Sequence, residues 1–404
     1  MPITRLRLAA LSAVAIFAVA VSGSALAQKK YDTGATDTEI KIGNIMPYSG
    51  PASSYGLIGK TEEAYFKMIN DQGGINGRKI NFITYDDGYS PPKAVEQARK
   101  LVESDEVLVV FNPLGTPSNS AIQKYLNSKK VPQLFVATGA AKWNDPKGFP
   151  WTMGWQPSYQ SEAQIYAKYI LKEKPNAKIA VLYQNDDFGK DYLKGLKDGL
   201  GAKASMIITE ESYETTAPTI DSHIVKLKST GADVFLSITT PKFAAQAIKK
   251  IAEIEWKPLQ IVANVSASVG SVLQPAGFEN AQGLLSAAYA KDGADPQWND
   301  DPGMKKWSAF IDKYMPGANR SDGNLVYGYG VAQTLVETLR LCGDDLTRAN
   351  VMKIATKMKD WSFPLYVPGI TINTSPDNYF AMHTTQLKRY DGTRWQLIGK
   401  PISE

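Results

Sequence analysis

From residue 39 onward the chain alternates short apolar runs with amphipathic stretches, joined by brief Gly- and Pro-marked connections. Such alternation restricts the fold to parallel strands whose crossover helices cover both faces of a sheet. Strands are expected at residues 40–46, 79–85, 107–111 and 132–136, with helices at 61–70, 91–102 and 120–128. Gly73-Gly74-Ile75-Asn76-Gly77 stops the first helix, and Pro91-Pro92 opens the second, where a first-turn proline costs no hydrogen bond. Phe149, Trp151 and Trp155 then cluster with Pro150 and Pro157, a stretch that suits a crossing between lobes.

A second series follows: helix 159–172, strand 177–183, helix 190–200, strand 204–209, helix 219–229, strand 233–238, helix 242–254 and strand 259–263. Each series is large enough to be a doubly wound domain, and 404 residues exceed what one core usually serves. Helical patterns recur at 303–314, 327–341 and 347–358, and the tail at 366–398 reads as strands. The expected fold class is α/β, two doubly wound parallel-sheet lobes to which late segments return.

The first 27 residues read as an export signal: Arg5 and Arg7, an apolar stretch from Leu8 to Val21, and Ala25-Leu26-Ala27 as a small-x-small cleavage site. Gln28 follows the cut instead of Cys, so the expectation is a free periplasmic protein without a lipid anchor. Lys and Arg total 45 against 40 Asp and Glu, a balance of +5 that shrinks once Arg5 and Arg7 are removed. That is too small and too evenly spread to suggest nucleic-acid binding.

Cys342 alone allows no internal disulfide, and with only His223 and His383 beside it no Cys/His zinc cluster can form. The sequence holds no Gly-x-Ser-x-Gly elbow to accompany either histidine, which speaks against a hydrolase. Gly59-Lys60-Thr61 resembles the end of a phosphate-cradling loop, but Ser54 stands where its first glycine is needed. Gly328-Tyr329-Gly330 lacks the third glycine of a dinucleotide fingerprint. The chain is therefore expected to be no enzyme, with no cofactor and no metal.

Ile42-Gly43-Asn44-Ile45-Met46-Pro47-Tyr48-Ser49-Gly50-Pro51 followed by Tyr55-Gly56 resembles the periplasmic leucine/isoleucine/valine-binding protein family of ABC importers. Three later stretches add to the resemblance in the same order. They are Asn70 to Gly77 with Asp86-Asp87, Asn185-Asp186-Asp187-Phe188-Gly189 leading to Gly195 and Gly199, and Tyr329 to Gln333. The resemblance implies two lobes joined by three crossings, residues 28–156 with 289–380 and residues 157–288 with 381–404, closing over a solute. It also implies an inner-membrane ABC permease as partner, and the protein itself is expected to be a monomer.

By the same resemblance Tyr55 lines the cleft, while Leu114-Gly115-Thr116 and Thr138-Gly139-Ala140-Ala141 hold a ligand carboxylate. These stretches follow strand ends, where small residues let main-chain N–H groups approach an anion. Phe188, Thr239 and Asn264 come from the second lobe, with Tyr327 near a returning segment. Asn264 falls where the amino-acid binders carry an acidic residue for the ligand ammonium, and an amide cannot neutralise a buried cation. Ala141 likewise replaces an expected hydroxyl. The expected ligand is a small carboxylate, either an amino acid or an amine-free aromatic or aliphatic acid. The alternative is an extracytoplasmic sensor of the same fold reporting to a membrane receptor.

Overall fold

The computed structural model describes residues 29–403, so the expected export signal lies outside the described residues. The chain runs β1 (Lys30–Tyr31), β2 (Glu39–Met46), α1 (Gly56–Asp71), β3 (Lys79–Asp86), α2 (Pro91–Glu103), β4 (Val109–Phe111), α3 (Thr116–Ser128), β5 (Gln133–Val136) and β6 (Thr152–Gly154). Strands β2 to β6 form one wholly parallel sheet in the order β3-β2-β4-β5-β6. The strands read as continuous apolar runs because helices cover both faces, as at Val109–Phe111, which is entirely buried.

The second series is α4 (Tyr159–Glu173), β7 (Ile179–Gln184), α5 (Asp187–Leu200), β8 (Ile207–Tyr213), α6 (Asp221–Ser229), β9 (Val234–Ile238), α7 (Pro241–Glu253), β10 (Leu259–Val262), the short α8 (Gln274–Ala276) and β11 (Leu285–Ala288). Helices α9 (Pro302–Tyr314) and α10 (Gly323–Cys342), strand β12 (Asp345–Leu346), helix α11 (Arg348–Ala355) and strands β13 (Thr384–Tyr390) and β14 (Trp395–Ser403) complete the chain. The second sheet has the order β14-β13-β11-β10-β9-β7-β8. β1 and β12 form a separate parallel pair.

The late helices return to the first lobe. Phe310 of α9 and Tyr329 of α10 pack around Tyr65 of α1, with ring centroids 6.1 and 4.7 Å from it. Helices α4 and α5 pack on the second sheet, unusually close to each other. A Cβ at Gly195 would stand 2.3 Å from the Gln160 carbonyl oxygen, and one at Gly199 2.7 Å from the Ala167 Cβ. Only glycine permits that approach.

The parallel expectation fails at one edge: β13 pairs antiparallel with β11, and β14 antiparallel with β13. The final pair is a hairpin, turned at Asp391, whose carboxylate accepts N–H bonds from Thr393 and Arg394, and at Gly392 with φ 104°. A tight turn can join only antiparallel strands. The rest of the expected strand tail, residues 366–383, forms isolated bridges instead. Residues 201–206 are a 3-10 turn, so β8 begins at Ile207, and the Trp151–Trp155 stretch holds the edge strand β6.

Three passages connect the sheets: residues 155–158, 289–301 and 356–383. Trp155 in the first is 1% exposed, donates its indole N–H to Thr334 Oγ1, and meets Tyr289 and Tyr366 at ring distances of 6.0 and 6.1 Å. The second and third passages are tied by main-chain bonds, Val367 to Tyr289 and Lys291 to Leu365.

Candidate functional site

A cavity of about 140 Å³ lies between the carboxyl ends of the two sheets, walled by residues of both. Parallel sheets place their loops there, at the point where strand order reverses. On the first side, β4 ends at Phe111 and the chain turns through Asn112 (φ 48°) and Gly115 (φ 98°) into α3. A Cβ on Gly115 would sit 2.5 Å from the Tyr89 ring, so this turn and Tyr89 can meet only at glycine. Tyr89 itself has φ 61° and is held by Asp87, whose buried carboxylate accepts from the Tyr89 N–H at 2.9 Å and the Ser118 hydroxyl at 2.6 Å. Left-handed backbone at a non-glycine residue is strain that the surrounding bonds must hold. Burial pushes the Asp87 carboxyl above its ordinary value, partly opposed by those bonds.

On the second side the wall is aromatic. Tyr159, the first residue of α4, stacks on Tyr192 at 4.8 Å, and Phe188 meets Tyr159 edge-on at 5.1 Å. Phe188 is fixed by the Asp186 cap, which accepts N–H bonds from Phe188 and Gly189. Asn264 opens the loop after β10. Its main-chain N–H donates to Glu162 Oε1 at 2.8 Å, and its side-chain N–H donates to the Ala287 carbonyl. Glu162 also accepts from the Tyr166 hydroxyl at 2.7 Å, and burial holds its carboxyl above the usual range.

The two sides are in contact across the cavity. The Tyr55 hydroxyl donates to the Val265 carbonyl at 2.9 Å, and the Gln184 side-chain N–H donates to the Tyr89 hydroxyl at 3.2 Å. Ser268 donates to Asp322, the cap of α10, at 3.0 Å.

Of the residues predicted from sequence, Tyr55, Leu114, Gly115, Thr116, Phe188, Asn264 and Tyr327 line the cavity. Thr138, Gly139, Ala140, Ala141 and Thr239 do not. Thr138 is turned toward Thr116, their hydroxyls 2.6 Å apart, and accepts from the Trp143 indole. Where a side chain at Gly139 would project, the Pro157 carbonyl and the Tyr159 ring already stand. Ala140 is fully buried, and the Ala141 N–H donates across to Asp191 at 2.7 Å. The Thr239 hydroxyl is 2.9 Å from that of Ser237, and its neighbours Thr240 and, in the other lobe, Ala137 reach the cavity instead.

Sequence reasoning missed Tyr89, Gln156, Tyr159, Lys388 and Asp292. Tyr159 had a readable signal, a helix start just after the expected crossing. Lys388 had none, because it reaches the site only when the tail strand pairs with β11. Burial lowers the Lys388 ammonium to about 8, while Asp292 and Glu162 act to raise it. Gly59-Lys60-Thr61 lies inside α1 beyond its first turn, and Thr61 donates to the Leu57 carbonyl, so no phosphate cradle exists there. Among the described residues no three His, Cys, Asp or Glu side chains group to hold a metal ion.

A family model described as "Periplasmic binding protein" matches residues 39–393. The chain is 25% identical over 313 residues to the Leu/Ile/Val-binding protein homolog 7 of Brucella suis biovar 1, covering 74% of this chain and 77% of that one. Among solved structures, a branched chain amino acid ABC transporter protein from Thermus thermophilus with bound valine superposes with TM-score 0.81 at 18% identity, covering 92% and 97% of the two chains. A solute binding protein of an R. palustris ABC transporter in complex with benzoate superposes with TM-score 0.74 at 19% identity, covering 90% and 97%.

Proposed function

Since this chain belongs to the periplasmic binding protein family, whose model spans residues 39–393, we propose that it is the extracytoplasmic solute-binding component of an ABC importer and closes its two lobes over one small carboxylate. The observation that carries this reading is a cavity walled from both sheets, bridged by Tyr55 and Val265. A solute that touches both walls favours the closed arrangement by its differential affinity for it, and the closed face is what a permease reads. The expected export signal and a periplasmic location belong to the same reading.

The cavity size supports a solute of about one ring, since an apolar cavity of roughly 150 Å³ holds a benzene. The carboxylate is assigned to the turn at Leu114, Gly115 and Thr116. The Leu114 and Gly115 N–H groups donate to the Ile45 and Ala137 carbonyls, so the Thr116 N–H at the start of α3 is the main-chain donor assigned to the carboxylate, where the helix start favours negative charge. Tyr55, Tyr159, Phe188 and Tyr327 surround the apolar body. Thr138, Gly139, Ala140, Ala141 and Thr239 support this wall from behind.

The solute proposed is an acid without an amino group, aromatic or aliphatic. Asn264 carries no charge, and the Glu162 oxygen behind it is occupied by the Asn264 N–H and the Tyr166 hydroxyl. An ammonium placed against Asn264 would meet an amide in place of a carboxylate, and an amide does not neutralise a buried cation. A thermal-shift panel on the mature protein tests this directly. Benzoate or cinnamate is expected to stabilise the fold, by about 2.7 kcal/mol at a hundredfold excess over the dissociation constant. Stabilisation by leucine and valine with none from the amine-free acids would overturn the assignment.

A further inference from the structure

The cavity does not end at Asn264. It continues beside the passage at Ala288–Asp292 into a chamber walled by β13 and β14, where Lys388, Trp395 and Leu397 face Asp292 and Asp295. Most charges in this chamber have partners. Lys291 pairs with Asp301 at 2.7 Å and donates to the Pro364 carbonyl. Asp295 pairs with Arg394 at 3.2 Å. Asp292 accepts the Ala294 N–H at 2.9 Å.

Lys388 is different. Among the described residues it makes no hydrogen bond and no ion pair, and its ammonium rests 4.5 Å from the centroid of the Trp395 ring. Asp292 and Glu162 act on this half-buried ammonium as charges without a hydrogen bond, so its three donors meet only the indole face and are left without an anionic hydrogen-bond partner. The nearby carboxylates do not supply it at contact distance. Asp292 and Glu162 are both held above the ordinary carboxyl range by burial, and Glu162 is already engaged by Tyr166 and Asn264.

We propose that this chamber is a second anion subsite with Lys388 as its cation, and that the solute is a small dicarboxylate gripped at one end by the Gly115 turn and at the other by Lys388. The proposal rests on the carboxylate reading above and adds the second acidic group. It also gives Trp395 a role: its ring fixes the ammonium in place beside the cavity.

Titration calorimetry on the mature chain with matched pairs, terephthalate against benzoate and glutarate against valerate, tests it. The dicarboxylate is expected to bind tighter than its partner by roughly tenfold to a hundredfold, the range for hydrogen bonds to a charged group. Lys388→Met should erase that preference, and Lys388→Arg should keep part of it. Equal or tighter binding of the monocarboxylates to the unmutated protein overturns the subsite without needing any variant. A preference that survives Lys388→Met overturns the assignment to Lys388. If no amine-free acid of either kind binds while leucine or valine does, the amine-free assignment falls and this proposal with it.

Discussion

At Gly115 a positive φ and the Tyr89 ring 2.5 Å from the site of a Cβ coincide, so the residue is fixed twice. Gly115→Ala is expected to cost about 1–3 kcal/mol in urea-unfolding experiments and to weaken solute binding by more than tenfold in calorimetry. Lys388 makes a prediction about pH. Burial lowers its folded value to about 8 from 10.5, so between those limits the unfolded chain holds more protons and stability rises with pH. Urea midpoints measured from pH 8 to 10 should climb, and Lys388→Met should flatten the climb. The sequence exposed Gly115 as a small residue after a strand, but hid Lys388, whose place depends on the pairing Ser286 to Lys388 across 102 residues of chain.

Among elements, α4 and α5 meet so closely that Gly195 and Gly199 act as their contact surface. Gly195→Leu should cost about 1–3 kcal/mol as an overpacking change, and because α4 begins with Tyr159 it should also lower solute affinity. Circular dichroism melts and calorimetry on the same variant check both effects. The sequence marked these glycines by resemblance without their reason, which is the approach of two helices over a shared sheet. It likewise showed most strands and helices through their apolar periods, because parallel strands buried on both faces leave a plain signal. It misread residues 366–383, where alternating Thr and Tyr serve isolated bridges and passages, a use that period alone does not distinguish from a strand. The stretch from Thr138 to Ala141, expected to hold a carboxylate, does not line the cavity, whereas Ala137 just before it does, a one-residue difference that sequence does not reveal.

For the whole molecule, the account rests on two sheets closing on one solute around the passages centred on Trp155. The lobes touch through polar bonds such as Tyr55 to Val265, Gln184 to Tyr89, Ala141 to Asp191 and Ser268 to Asp322, and each weighs on the open–closed balance. Tyr55→Phe removes the hydroxyl that donates to Val265 and should lower affinity by roughly fivefold, about 1 kcal/mol, with little change in unfolding stability. Small-angle X-ray scattering of the mature chain, alone and saturated with the acid that most raises its melting temperature, tests closure most directly. The radius of gyration should fall on saturation, and should fall less for Tyr55→Phe at the same acid concentration. An unchanged radius at full occupancy, with binding indifferent to Gly115→Ala, would contradict the account.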